Sequence, residues 1–196
     1  MKNKLLLIIS LAQAYGAQTP VLAQKTGAVV PDYATVQYAG SVGWLSVGVD
    51  YDLFKKERAR LGLLYGYVPE NRGGELHLVS ASFFYETIEK RLSERLTLNP
   101  LDVGLKVSYH FGDNFYTVWP DRYPRRYYWW PTSFLMHVAT QHSLTLKMPE
   151  GSAVQAITGY ADLNTNGLYL VGFFQNASSN KLHHIFKLGF GVRLKF

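Results

Sequence analysis

Serine and histidine are the residues of this sequence that could carry covalent chemistry. A serine hydroxyl attacks an acyl carbon when a histidine within hydrogen-bond reach accepts its proton, so such a pair supports acyl hydrolysis or acyl transfer. His142 and Ser143 are adjacent, and neighbours in a strand point to opposite faces. Ser108 and His110 share a face, as do His137 and Ser143, but the second pair is separated by roughly 20 Å of strand. By parity both pairs face an interior, so we assign no catalytic residue.

Aromatic and arginine residues are concentrated in residues 115–131, which read FYTVWPDRYPRRYYWWP. Tyrosine and tryptophan collect at the level of lipid headgroups, where arginine reaches phosphates. The same residue types dominate surfaces that recognise other molecules. The stretch therefore predicts either a belt against lipid headgroups or a binding surface for a glycan or a partner protein. The binding residues assigned to it are Trp119, Arg122, Arg125, Arg126, Tyr128, Trp129 and Trp130.

The sequence gives little support to metal, cofactor or nucleic-acid binding. His183 and His184 are neighbours with opposed faces, and no carboxylate lies at chelating spacing from them. The formal net charge of +6 is too small to indicate a nucleic-acid partner. We expect no metal, no cofactor and no nucleic acid.

Large apolar residues occupy every second position at the end of the chain. They alternate with lysine, arginine and glycine, and a period of two is that of a β-strand. The row consists of Phe186, Leu188, Phe190, Val192, Leu194 and Phe196. The pattern fits an antiparallel strand of a soluble sandwich or soluble barrel, or a strand whose apolar face meets lipid while its polar face lines a membrane barrel.

The same alternation upstream favours the barrel. In residues 101–111 the second row carries aspartate, glycine, lysine, serine and histidine, which a closed soluble core would not accept inside. Buried charges need partners, and eight strands leave room only for side chains. We expect an interior filled by ion-paired side chains rather than an open pore. The expected interior residues are Arg60, Asp102, Lys106, Ser108, His110, Lys187, Arg193 and Lys195.

The first residues read as a secretory signal peptide. Lys2 and Lys4 precede an apolar run at residues 5–11 and then small residues, with cleavage fitting after Ala14 or Ala23. The run is too short to span a bilayer as a helix. We divide the chain into a signal peptide at residues 1–23, a periplasmic lead-in at 24–34, and a barrel at 35–196.

The ending of the chain resembles the C-terminal strand of small bacterial outer-membrane β-barrel proteins, which finish on an aromatic residue preceded by alternating apolar residues. The resemblance covers residues 186–196, although Leu194 stands where the family more often has an aromatic residue. It implies the outer membrane of a Gram-negative bacterium, contact with outer-membrane lipid, and a strand read by the barrel-assembly machinery. The residues matching that assembly signal are Phe186, Phe190, Val192, Leu194 and Phe196.

The alternation predicts an all-β, antiparallel transmembrane barrel of eight strands, and a count of ten also fits. The predicted strands are residues 35–53, 58–68, 76–87, 101–111, 132–147, 153–163, 168–175 and 182–196. Residues 88–100 are predicted as a polar loop. On this count the long connection at 112–131 lies at the same end as the termini, where membrane barrels normally have short turns.

These patterns favour a monomeric, non-enzymatic barrel with a structural or surface-interaction role. The alternative is a barrel enzyme that hydrolyses or transfers acyl chains of lipid A or phospholipid, because some small outer-membrane barrels act in this way.

Overall fold

The computed structural model describes residues 30–54, 58–121, 130–176 and 181–196. Residues 31–196 form one compact unit. The predicted signal peptide and residues 24–29 of the lead-in lie outside the described residues. Residues 33 and 34 of the lead-in are the first residues of a strand.

Eight antiparallel strands form a closed barrel in which each strand pairs with the next and the last pairs with the first. The strands are β1 (Tyr33–Ala39), β2 (Leu45–Leu53), β3 (Ala59–Val68), β4 (Leu76–Arg91), β5 (Leu96–Phe111), β6 (Phe134–Lys147), β7 (Ala156–Asn166) and β8 (Lys187–Lys195). Helix α1 (Gly167–Gln175) and the short α2 (Leu182–Ile185) connect β7 to β8, and a 3-10 turn (Glu70–Arg72) follows β3. The all-β class, the antiparallel barrel and the count of eight are confirmed. No helix in the described ranges is long and apolar enough to cross a membrane.

The predicted first strand, residues 35–53, is two strands. The chain reverses at residues 40–44, where Ala39, Gly40 and Ser41 have φ values of 58°, 74° and 65°. These left-handed conformations do not continue a strand. A Cβ on Gly43 would lie 2.9 Å from the Tyr67 backbone nitrogen, so the turn also packs closely against β3. Residues 40–44 therefore form a complete turn between β1 and β2.

The predicted seventh strand, residues 168–175, is wrong because this segment is helix α1. The side chain of Asn166 accepts a hydrogen bond of 2.8 Å from the Tyr169 backbone nitrogen and caps the first turn. Residues 168–171 are apolar without alternation, so the segment lacks the period of a strand. The sequence predicted one strand too few in residues 35–53 and one too many in residues 168–175, so the predicted total of eight is still correct.

The corrected strand order moves the long connections to the other end of the barrel. The start of β1, the end of β8 and the connections after β2, β4 and β6 lie at one end, called here the terminal end. The connections at 112–133 and 167–186 lie at the opposite end, called here the long-loop end. The long aromatic connection therefore leaves β5 and enters β6 at the end opposite to the start of β1 and the end of β8, contrary to the expectation from the sequence.

Strands β4 and β5 extend well beyond the predicted bounds, to 16 residues each. Most of the predicted loop at residues 88–100 is strand, and the turn is residues 92–95. The Ser93 hydroxyl accepts hydrogen bonds from the backbone nitrogens of Arg95 and Leu96, which fixes the turn. Register shifts at residues 86–90 and 99–102 show that the hairpin is irregular there. The polar composition of residues 88–100 does not distinguish a loop from the paired ends of β4 and β5.

The two faces of the barrel wall differ in polarity, as the alternation predicted. The outward residues include large exposed apolar side chains on seven strands, of which Val36, Val47, Leu63, Phe83, Leu105, Val138 and Phe190 are representative. On β7 the outward residues are smaller or half-buried. The inward residues are largely polar and buried, including Asp50, Arg60, Asp102, Lys106, Gln141, Asp162 and Arg193. Lys187 is an exception to the expected interior, since it is exposed at the long-loop end.

The barrel wall leaves no room for a side chain at Gly48. A Cβ there would lie 1.9 Å from the Leu63 carbonyl oxygen on the paired strand, whereas a Cβ on Gly159 of β7 would meet nothing within 4 Å. We expect Gly48→Ala to lower the free energy of unfolding by about 3 kcal/mol or more, the upper end for overpacking, because backbone must move. Gly159→Ala is the matched control and should change it by less than about 1 kcal/mol. Urea unfolding in detergent micelles measures both, and equal stability of the two variants would contradict this register.

Candidate functional site

A buried ion pair crosses the middle of the barrel. Lys106 of β5 places its Nζ 2.6 Å from Oδ1 of Asp162 on β7, and the two side chains are 2% and 0% exposed. Asp162 also accepts hydrogen bonds from Nε2 of Gln141, at 3.1 Å, and from Nδ2 of Asn164, at 2.7 Å. Strand β6 lies between the two partners in the wall, so this contact ties non-adjacent strands through the interior.

Two arginines share the other end of the Gln141 amide. Arg60 and Arg193 each donate to its Oε1, at 3.0 Å and 3.2 Å. Arg60 also lies 3.5 Å from Glu86 and 3.9 Å from Asp50. Because Gln141 accepts from the arginines and donates to Asp162, one neutral amide connects the cationic and anionic parts of the network.

Aromatic rings pack among these charges. The ring of Phe84 lies within about 6 Å of both Arg60 Cζ and Lys106 Nζ, at 5.9 Å and 6.0 Å. The Arg193 guanidinium lies 4.3 Å from the centroid of Tyr160. Such cation–π contacts are strongest where water is excluded, so the rings add to the stabilisation of these buried cations.

The interior rings occupy space that the opposite strand leaves empty. Tyr160 faces Gly191 across β7 and β8, and a Cβ on that glycine would lie 2.3 Å from the ring. Phe84 faces Gly104 across β4 and β5, where a Cβ would lie 2.4 Å from the ring. Each bulky interior ring is thus matched by a glycine on its neighbouring strand.

The serine and histidine residues considered for catalysis do not form a pair. Ser108 Oγ hydrogen-bonds Ser80 Oγ at 2.8 Å. His110 stacks on Phe115 at 5.3 Å, with its Nδ1 3.4 Å from a backbone carbonyl. Ser143 lines a cavity at the terminal end, while His137 lines one at the long-loop end. None of these side chains supplies the nucleophile and base of acyl chemistry.

A cavity of about 400 Å³ opens at the long-loop end, with largely apolar walls. His110, His137, Asn166, Tyr169 and Lys187 supply its polar lining. His137 is only 2% exposed, and neither of its ring nitrogens has a hydrogen-bond partner of acceptable geometry. The cavity therefore combines apolar walls with a buried imidazole and the exposed ammonium group of Lys187.

Only part of the predicted aromatic binding segment is described. Arg122, Arg125, Arg126, Tyr128 and Trp129 lie outside the described residues. Trp119 Nε1 donates to the Trp130 carbonyl at 3.0 Å, and Trp130 Nε1 donates to the Phe134 carbonyl. These two hydrogen bonds connect residues 119 and 130 to the start of β6 at the long-loop end.

The residues of the predicted assembly signal mostly lie on the outer face of β8. Phe190, Val192 and Phe196 are 55%, 46% and 53% exposed, and Leu194 is half-buried. Phe186 precedes the strand, because residues 182–185 form α2 and β8 begins at Lys187. The backbone nitrogen of Phe196 donates to the Asp32 carbonyl at 3.1 Å and helps close the barrel.

Several site residues were missed by sequence reasoning. Asp50, Gln141, Asp162 and Asn164 are central to the interior network, and their inward parity was readable from the alternation in β2, β6 and β7. Helix α1 was also missed, although an asparagine cap before a run without alternation is a signal for a helix start.

The ion pair between Lys106 and Asp162 should be tested by removing one or both charges. Lys106→Met leaves a buried carboxylate without its counterion, so we expect a loss of about 3–5 kcal/mol in the free energy of unfolding. Lys106→Met combined with Asp162→Asn removes both charges and should recover at least half of that loss. Urea unfolding in micelles measures the free energy of unfolding of the unsubstituted protein, the single variant and the double variant. A double variant less stable than the single variant would contradict the coupling.

The described residues contain no group of three or more histidine, aspartate or glutamate side chains placed to hold a metal ion. No protein-family description, curated protein or solved structure matches the chain. Its function is therefore inferred from its own geometry.

Proposed function

We propose that this chain is a monomeric outer-membrane β-barrel of a Gram-negative bacterium, closed to ions by its interior side chains, with a structural role and an interaction surface at its long-loop end. The observation that carries the proposal is the inverted polarity of the barrel. Large apolar side chains are exposed on the outside, while charged side chains are buried on the inside, where Lys106 and Asp162 form an ion pair and Arg193 and Asp102 form none with the described residues. Water does not favour such an outer surface, whereas the hydrocarbon of a bilayer does.

Closure of the barrel also supports a location in a lipid bilayer. In lipid every backbone polar group must be satisfied within the protein, and a closed barrel achieves this without edge strands. The pairing of β1 with β8 removes the last edge. The predicted signal peptide would export the chain to the compartment from which such barrels are assembled.

Helix α1 offers a second apolar surface next to the wall. Its sequence, GLYLVGFFQ, has no charged residue, and none of its residues is buried. Leu168 and the outward-facing Met136 line the same small cavity of about 20 Å³, so the helix adjoins the outer face of β6. A helix that is apolar all round is normally buried, and contact with lipid would bury this one.

The positions of the connections suggest an orientation. Outer-membrane barrels have short periplasmic turns and longer external loops. On that pattern the terminal end faces the periplasm, and the long-loop end faces outward with the 400 Å³ cavity and the tryptophans. A glycan or a protein is the class of partner that such an aromatic surface binds.

Recognition of β8 by the barrel-assembly machinery should depend on the aromatic ring of Phe196. Phe196→Ala keeps the backbone hydrogen bond to Asp32 but removes the aromatic terminus, so we expect about a fivefold or greater drop in assembled barrel. Phe196→Tyr keeps an aromatic ring and is the control, which should assemble at near the unsubstituted level. Heat-modifiable protein in isolated outer membranes measures assembly. Unchanged levels for Phe196→Ala, or deletion of residue 196 without effect, would remove the assembly argument.

The filled interior should block ion flow. In planar bilayers we expect no steady conductance from the unsubstituted protein, because the Lys106–Asp162 pair and the two arginines cross the lumen. The variant with both Lys106→Ala and Asp162→Ala should conduct if those side chains form the barrier. A large, steady current from the unsubstituted barrel would contradict the proposed closure.

A further inference from the structure

A second cavity, of about 270 Å³, lies at the terminal end of the barrel and is strongly basic. Two carboxylates, Glu86 and Glu89, line it together with six cationic side chains. The cations are Arg58, Arg60, Arg91, Lys147, Arg193 and Lys195. They come from β3, β4, β6, β8 and the residue before β3, so positive charge surrounds the cavity rather than lying along one wall.

The floor of this cavity contains a buried guanidinium without a close counterion. Arg193 is 3% exposed, and no carboxylate of the described residues lies within 4.0 Å of it; it donates to the neutral Gln141 amide. Asp50 and Asp102 supply negative charge deeper in the barrel, but neither lines the cavity. A buried charge without a paired counterion is costly, and an anion in the cavity would reduce that cost.

The carboxylates at the cavity are already engaged. Glu86 pairs with Arg60 at 3.5 Å, and Glu89 pairs with Arg91 at 3.7 Å. Arg58 and Lys147 make no ion pair with any described residue. The polar side chains of Asn99, Ser143 and Thr158 at the floor are buried. Asn99 donates to Glu86 at 3.3 Å and Thr158 hydrogen-bonds Thr145 at 2.8 Å, while Ser143 adds a hydroxyl donor. The lining therefore carries excess positive charge together with neutral donors, which is the chemistry of an oxyanion site.

We propose that the terminal-end cavity binds a phosphate group. Cations that approach from several strands suit a tetrahedral group with several acceptor oxygens. Because the cations outnumber the carboxylates, they also suit a ligand that carries more than one negative charge. Binding itself does not depend on the proposed function, but a periplasmic position of the cavity does. Two sources of the same chemistry can supply the group, a free phosphate compound or the headgroup of a phospholipid.

The test is calorimetric titration of the folded barrel in non-ionic detergent at low salt. Pyrophosphate is the probe for a free phosphate compound, and short-chain phosphatidic acid is the probe for a headgroup. We expect saturable binding of one molecule per barrel. Arg91→Gln combined with Lys147→Gln removes two cations of the rim and should weaken it by about tenfold or more, without disturbing the buried network.

The matched control removes two cations that are equally exposed at the same end but do not line the cavity. Lys90→Gln combined with Arg95→Gln should change the affinity by less than about threefold, since only long-range attraction is lost. Stronger binding of phosphatidic acid supports a headgroup at the site, and stronger binding of pyrophosphate supports a free compound. Equal losses in both double variants, or no saturable binding of either probe, would overturn the site. Heat-modifiable migration of the same sample separates that failure from a failure of the barrel.

Discussion

The side-chain amide of Gln141 is the interaction on which the barrel interior depends. Its oxygen accepts from Arg60 and Arg193, and its nitrogen donates to Asp162, which holds Lys106. An amide side chain has both an acceptor oxygen and a donor nitrogen, so it can hydrogen-bond a cation and an anion at once. Four strands are joined to β6 through this residue and its partners, and without it the two arginines would face each other with no shared acceptor.

The same network separates the two ends of the molecule. Above it, the long-loop end has apolar walls with an unsatisfied histidine. Below it, the terminal end has a basic lining and paired carboxylates. Because charged side chains cross the lumen between the two cavities, each cavity can have its own ligand chemistry. A barrel of eight strands is narrow enough for a single layer of such side chains to divide it.

The sequence predicted the class of fold well because alternation is a local property. The alternating rows in β3, β5 and β8 predict that Arg60, Lys106 and Arg193 face the interior, and all three are buried there. Turns and partners were predicted less well. The reversal at residues 40–44 depends on left-handed backbone that composition only hints at. The Lys106–Asp162 pair joins residues 56 positions apart, and parity gives the face of each residue but not the strand that lies opposite. For the aromatic segment, most of the predicted binding residues fall outside the described part of the chain.

The glycines that face Tyr160 and Phe84 have a consequence for how this interior can change. Each ring fills the space left by the missing side chain of the glycine that it faces on the next strand. Each facing pair therefore combines one large and one small residue. Enlarging Gly191 or Gly104 is compatible with the barrel only if the opposing ring shrinks in the same step. The interior can thus be rearranged by exchanging large and small residues between neighbouring strands, which would move a cation–π contact to a new wall while the total volume, and hence the closure of the lumen, stayed constant.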